Sequence, residues 1–268
     1  MGDNISKHIV LYAIIAVIFI GVAFKIGRVC QNRKIDQLKT YAEMIKKDIE
    51  SEIEISKEGL YQLAEYLQDT EDYDNIFNKY KPSGITKRIE ILTDENILIT
   101  QNAKVFLGQD IDFYTEALKG EHISGRVTDF TDTYKDVIKI ALPVSTNGKV
   151  TKILYAVIPS GDFSDKYSLI SDEAGIDIYV YEKTNGKLLV DTFRARLGNI
   201  SDFANFDYKK GTSYEDLVSG NEGYVIYKSK FLHKNMYVYY TPLEISDWQI
   251  MIEKSWPGLY FMLKLYSL

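Results

Sequence analysis

Sixteen consecutive residues from Ile9 to Phe24, IVLYAIIAVIFIGVAF, carry no charge and no strongly polar group. With Lys25 snorkelling, the apolar stretch extends through Gly27, and at ~1.5 Å per residue a helix of that length narrowly spans a bilayer core. A secretory signal peptide has a similar front end. Here no small-x-small cleavage pattern follows, and the next residues are Lys25-Ile26-Gly27-Arg28, so an uncleaved anchor is expected. The flanking charges pull the other way on orientation. Lys25, Arg28, Arg33 and Lys34 follow the segment and only Lys7 and the amino terminus precede it. Taken alone, that bias keeps the rest of the chain in the cytoplasm, although the rule weakens for long translocated domains.

Past the anchor, Ile35, Leu38, Ala42, Ile45 and Ile49 recur at alternating spacings of three and four. This is the seam of an amphipathic helix able to pair with a copy of itself, and a homodimer through such a stalk is expected. An ordinary helix packed on its own domain has the same pattern. From Ile53 through Leu60, Leu63 and Leu67 the periodicity drifts, as it does when a helix turns onto the body of a domain, and Gly59 interrupts it at a cost of ~1 kcal/mol relative to Ala.

From residue 87 onward the pattern changes to short alternating strands, and it repeats. Arg88 to Leu92, a turn at Thr93 to Asn96, and Ile97 to Thr100 are matched about ninety residues later. There the series is Ile176 to Tyr181, an Asn185-Gly186 turn, and Lys187 to Val190. Leu107-Gly108 and Leu197-Gly198 keep the offset. Each half then has a helical patch, Phe113 to Lys119 and Tyr214 to Ser219, followed by three strands. These are Ser124 to Phe130, Val137 to Val144 and Val150 to Ile158 in the first half. In the second they are Gly223 to Lys230, Met236 to Leu243 and Trp248 to Glu253. Pro143 and Pro242 lead into the final hairpins, and Asn147-Gly148 predicts a type I′ turn because both central positions need φ > 0. A duplicated unit of strand pair, helix and three antiparallel strands is expected, joined by a helix or loop from Ser160 to Ala174.

Composition excludes several classes. Of the 268 residues 46% are hydrophobic, enough to bury one large domain or two small ones behind the anchor. The net charge is -6, and acids and bases are interspersed without a basic block, which argues against nucleic acid. Cys30 is the only cysteine and His8, His122 and His233 are scattered, so no disulfide framework, metal site or cofactor is implied. Cys30 reads as a juxtamembrane residue rather than an acylation site. Most of the 21 tyrosines are expected on half-buried strands. There is no Gly-x-Ser-x-Gly elbow and no His placed near a credible Ser and acid, so an enzyme is not indicated.

The stretch Phe113-Tyr114-Thr115-Glu116-Ala117, the strand Ser124 to Phe130 and Ile138-Lys139-Ile140-Ala141-Leu142-Pro143-Val144 resemble the double Cache family, the two-lobed PAS-like sensors of bacterial transmembrane receptors. Leu189-Val190-Asp191-Thr192, Gly223-Tyr224 and Tyr239-Tyr240-Thr241-Pro242 before Asp247-Trp248 are most similar to sensors of Gram-positive diguanylate cyclases. The resemblance spans roughly residues 30 to 255. It implies an α+β fold with a tail and transmembrane anchor (1–29), a long stalk helix (30–69), a membrane-distal lobe (70–165), a membrane-proximal lobe (166–254) and the start of a possible second transmembrane helix (255–268). It also implies a membrane-anchored extracytoplasmic sensor that binds a small molecule and signals to a cyclase, histidine kinase or chemoreceptor output. The competing expectation is a stand-alone surface protein with a degenerate pocket.

In this family the distal lobe usually holds the ligand. Amino-acid-binding members share Arg-x-Trp-Tyr and a late Asp, where this chain has Ile111, Phe113-Tyr114 and Ile158-Pro159, so a standard α-amino acid is not expected. Phe113, Tyr114 and Asp129 remain as candidate ligand-binding residues. Each also has a plain reading: Phe113 and Tyr114 as core aromatics, and Asp129 as part of a solvated acidic loop with Asp132 and Asp136. Arg126 is expected on the opposite strand face from Asp129.

Overall fold

A single helix, α1 (Gly2–Gln68), carries the apolar segment at one end and the core of the domain at the other. At ~1.5 Å per residue it is roughly 100 Å long. This computed structural model describes residues 2–68, 70–107, 112–131, 135–193, 198–209, 213–229 and 232–256, with side chains of 2–10, 13, 112 and 113 excepted. The second apolar stretch expected from residue 255 lies almost wholly outside them. Along the apolar segment the described side chains are exposed, Phe19 at 72% and Phe24 at 74%, and the helix is long and apolar enough to cross a membrane.

The expected dimer seam has a different use. Leu38, Ala42, Ile45, Ile49 and Ile53 are all buried in the chain's own core, together with Leu60, Leu63 and Leu67 farther along. The 3-4 spacing is that of a helix packed on its own sheets, so this face is closed to a second copy. Helix α1 first passes one sheet, where Lys46 reaches Glu244 and Lys34 lies 4.5 Å from the Tyr237 ring. It then passes the other, where Ser56 bonds Thr86 and Lys152 bonds the Leu67 carbonyl. The sheet made by the earlier residues is thus the one farther from the apolar segment.

After α2 (Tyr73–Lys79), capped by the Asp72 carboxylate accepting from Asn75 N, that sheet contains β1 (Arg88–Thr93), β2 (Ile97–Ile99) and β3 (Lys104–Phe106). Helix α3 (Asp112–Lys119) follows, then β4 (His122–Ile123), β5 (Val127–Thr128), β6 (Asp136–Thr146) and β7 (Lys149–Pro159). Helix α4 (Ser160–Ala174), stopped by Gly175 at φ 58°, leads to β8 (Asp177–Glu182) and β9 (Leu188–Asp191). Strand β10 (Asp207–Tyr208), helix α5 (Tyr214–Leu217), β11 (Gly223–Lys228), β12 (Asn235–Pro242) and β13 (Trp248–Ser255) complete the second sheet.

The first sheet runs β3-β2-β1-β7-β6-β4, with β5 also on β6; the second runs β10-β11-β12-β13-β8-β9. Setting β1 on β8, β2 on β9, β7 on β13, β6 on β12 and β4 on β11 superposes the two orders, as a duplication requires. Both prolines obey one local rule. Pro143 lies two residues past Ala141, the last β6 residue paired to β4, and Pro242 two past Tyr240, the last β12 residue paired to β11. Each therefore stands where its strand has become an edge and no donor is missed. Asn147 and Gly148 have φ of 53° and 79°, the type I′ hairpin expected from the sequence.

One core is continuous across both sheets. The α1-facing side chains Ile91, Ile140 and Leu154 join Val180, Trp248 and Ile250 through Phe163 and Tyr167 of α4. Each sheet has a second core on its outer face, covered by α3 in the first and by α5 and the 200–208 segment in the second. Burial on both faces explains why β7 reads as an unbroken apolar run from Ile153 to Pro159 and why β13 is buried from Trp248 to Glu253.

The expected strand from Ser124 to Phe130 is broken. The Ser124 hydroxyl accepts from Lys139 N at 2.8 Å, substituting for the next backbone carbonyl, and the chain bows outward at Gly125 and Arg126. There it meets the other lobe. Arg126 N donates to Glu182 Oε1 at 2.9 Å and Arg126 Nη1 to the Leu188 carbonyl at 3.1 Å. A Cβ on Gly125 would lie 2.1–2.2 Å from the Glu182 carboxyl atoms, which is why glycine fits this junction.

Candidate functional site

The sequence places three candidate residues in the distal lobe. Tyr114 is half-buried on α3 and packs into the outer core beside fully buried Ala117. Phe113 belongs to the same helix, and its side chain lies outside the described residues, as does Ile111. Asp129 is only 2% exposed, so it is not a solvated loop residue. Its carboxylate accepts from Arg88 Nη2 at 2.8 Å and from the Thr131 backbone and hydroxyl at 2.9 and 2.8 Å. Burial pushes the Asp129 carboxyl up, but the Thr131 bonds and the Arg88 guanidinium outweigh it and hold its pKa below the ordinary value.

Arg88 also bonds Glu90 at 2.8 Å, and Glu90 faces Lys139 at 2.6 Å, both fully buried. The Lys139 ammonium lies 5.3 Å from the ring centres of Phe130 and Tyr155. Asp129, Arg88, Glu90 and Lys139 thus form a chain of alternating charge across the outer face of the sheet. Among the described residues, open volume lies at the sheet's end. A polar basin of about 550 Å³ there is bordered by Tyr80, Lys87, Arg88, Thr100, Asn102 and Thr131. Arg126 turns away from this group, toward Asp136 at 3.3 Å and the second lobe.

The second lobe contains a cavity that the sequence reading did not single out, about 590 Å³ on the outer face of its sheet. Strand register builds it. Glu253 pairs with Asp177 and Asp191 pairs with Tyr179, so three adjacent strands bring their carboxylates to one end of one face. Aromatic rings make the remaining wall: Tyr179 meets Phe203 edge-on at 5.4 Å, and Phe206 stacks on Tyr227 at 4.6 Å and 27°. The Tyr227 hydroxyl donates to Glu253, which together with burial pushes its own pKa well up. The available signal was the period-2 placement of Asp177 and Tyr179 on a strand that is otherwise apolar.

Burial, reinforced by Asp191, pushes the Asp177 carboxyl up to about 6. Its folded-state pKa exceeds the ordinary unfolded value of about 3.9, so its contribution to stability is greatest below that value and is lost as pH rises through about 6. Melting curves between pH 4 and 7 are expected to show a smaller decline for Asp177→Asn than for the parent. An identical decline in both proteins would rule out this assignment.

No family model matches the sequence, and no curated protein does. Solved structures match in fold. The extracellular domain of rpHK1S-Z16, a proposed histidine kinase, is 13% identical with a TM-score of 0.60, over 83% of this chain and 92% of that one. The sensory domain of the Campylobacter jejuni chemoreceptor Tlp3 with isoleucine bound is 14% identical with a TM-score of 0.58, over 84% and 93%. The ligand-binding domain of Mlp24 with asparagine is 16% identical with a TM-score of 0.58, over 82% and 91%. At such identities the likeness is one of fold, a two-sheet α+β architecture.

Proposed function

We propose that this chain is a non-catalytic, membrane-anchored sensor module, placed outside the cytoplasm, whose lobes bind a small molecule and pass a change of arrangement to an output partner. A histidine kinase, chemoreceptor or diguanylate cyclase would be a fitting output. The observation that carries the reading is α1, which joins the apolar segment to a core shared by both sheets without a break. A ligand that favours one arrangement of the lobes shifts the population by its differential affinity, and the helix is the element both lobes touch.

In the distal lobe, the reading keeps Phe113 and Tyr114 as part of the ligand-facing helix. Asp129 becomes the residue that aims Arg88, whose side chain remains 32% exposed at the basin. Such a guanidinium suits a carboxylate or another compact anion. Dimerisation, on this proposal, uses the outward face of α1, where Met44, Ile55 and Tyr61 are exposed, because the inward seam is occupied. The alternative is a stand-alone surface protein with a degenerate pocket.

Thermal unfolding of the full chain in detergent micelles, screened against a metabolite panel, separates the two. A ligand at a hundredfold excess over its Kd is expected to add about 2.7 kcal/mol of stability, read as a rise in midpoint that grows with concentration. A panel without any concentration-dependent rise would leave the degenerate-pocket surface protein as the better reading. Protease added to intact cells is expected to digest the domain; protection would place it in the cytoplasm, as the flanking charges alone would have it.

A further inference from the structure

We infer that the end of the second lobe nearest the apolar segment is a docking surface for anionic lipid headgroups, formed by the β11–β12 hairpin together with the cations that follow that segment. The inference rests on the reading of the segment as a membrane anchor and is independent of what the lobes bind. Strand β12 runs in the same direction as α1, since Lys34 meets Tyr237 near its start and Lys46 meets Glu244 just beyond its end. The start of the strand is therefore its end nearest the apolar segment. Lys34 is seven positions past Gly27, about 10 Å along the helix. Lys234 is three positions before Tyr237, about 10 Å along an extended strand. The hairpin thus returns to about the level of Arg28, within reach of a headgroup zone that adds about 5–7 Å to each side of the hydrocarbon core.

Two sets of contacts fix the hairpin in that attitude. At its root Tyr237 meets Trp256 edge-on at 5.4 Å, and the Lys34 ammonium lies 4.5 and 5.5 Å from the two ring centres, so α1 holds β12 and the end of β13 together. At its tip Ser229 N donates to the Lys234 carbonyl at 2.9 Å, Leu232 N donates to the Ser229 hydroxyl at 3.1 Å, and His233 turns the chain at φ 52°. Lys228, Leu232 and Lys234 are exposed around this turn, as are Arg28 and Arg33 on α1. Asp207, opposite Lys228, is the one acid in register with the hairpin among the described residues. The residues next to it in the chain that lie outside that set, Lys230, Phe231 and 257–268, include no Asp or Glu. Clustered Lys and Arg beside a membrane-spanning helix are drawn to anionic headgroups, and Trp and Tyr favour the same zone. The surface also gives a partner to the cations after the anchor, which oppose an extracytoplasmic placement when counted alone.

The test uses the full chain in lipid nanodiscs of phosphatidylcholine alone or of equal parts phosphatidylcholine and phosphatidylglycerol. In a Cys30→Ser background, Leu232→Cys carries an environment-sensitive dye, and a trace of lipid with a nitroxide headgroup quenches the dye on contact. The neutral disc controls for the dye's own affinity for lipid. Quenching is expected to be about twofold or more stronger in the anionic disc, and to fall to the neutral-disc level in about 1 M salt, where the Debye length is about 3 Å. Adding Lys228→Gln and Lys234→Gln is expected to lower the ratio of docked to undocked hairpin in the anionic disc by about tenfold or more. Equal quenching in the two discs, or quenching that the lysine substitutions leave unchanged, overturns the docking surface while the sensor reading stands. A chain that enters neither disc overturns the anchor itself, and the inference with it.

Discussion

Replacing Glu90 with alanine is expected to lower the unfolding free energy by about 3–5 kcal/mol, the range for breaking a buried ion pair from one side. Glu90 and Lys139 are both fully buried, and the substitution takes away the carboxylate that Lys139 faces at 2.6 Å. Arg88 still has Asp129, so the damage concentrates on Lys139. Against a total stability of roughly 5–15 kcal/mol, the loss is large enough to leave the variant partly unfolded at modest urea concentrations. The double variant Glu90→Leu with Lys139→Met removes both charges and is expected to recover most of the loss, since apolar replacement of a whole buried pair is often neutral or stabilising. Urea unfolding of the parent, Glu90→Leu, Lys139→Met and the double variant closes a double-mutant cycle and measures the coupling. Additive losses would show that the pair is not coupled across the sheet.

The second large effect tests the use of the α1 seam. Ile49→Ala is expected to cost about 2–5 kcal/mol, because Ile49 has no exposed surface and truncation leaves a cavity between helix and sheets. Met44, 47% exposed on the opposite face, serves as the control, with Met44→Ala expected to stay within about 0.5 kcal/mol. If the seam instead joined two copies, the effect of Ile49→Ala would depend on protein concentration, as linkage to association requires. An internal core predicts a loss that is the same at every concentration.

These residues also show how far the sequence could be read. Strand alternation, the Asn147-Gly148 turn and the two prolines are local signals, and the strands and hairpins they specify are present except from Ser124 to Phe130, where only Val127–Thr128 is a strand. The seam was legible as an apolar stripe but not as to what covers it, since period alone does not distinguish a helix on its own sheets from one on a copy. The break at Ser124 was hidden because it depends on one hydroxyl accepting from Lys139 N, fifteen residues away. Asp129 was visible as an acid on a strand. Its partner Arg88 is 41 residues distant and reaches it only after β1 takes its place beside β7 and β6. The proximal cavity was hidden for the same reason, because β8 must pair on both sides before Asp177, Asp191 and Glu253 share a face.

Because α1 is helical from Gly2 to Gln68, the apolar segment and the packed face are locked in angular phase. The first fully buried core residue, Leu38, is fourteen positions past Phe24, and no loop intervenes to absorb a change. One residue inserted between them turns the whole two-lobed body by about 100° about the helix axis and lifts it ~1.5 Å. Seven residues restore the phase to within about 20° at a displacement of ~10 Å. The count of residues in that interval therefore works as a dial. It sets which side of the sensor faces a neighbour, independently of anything the lobes bind.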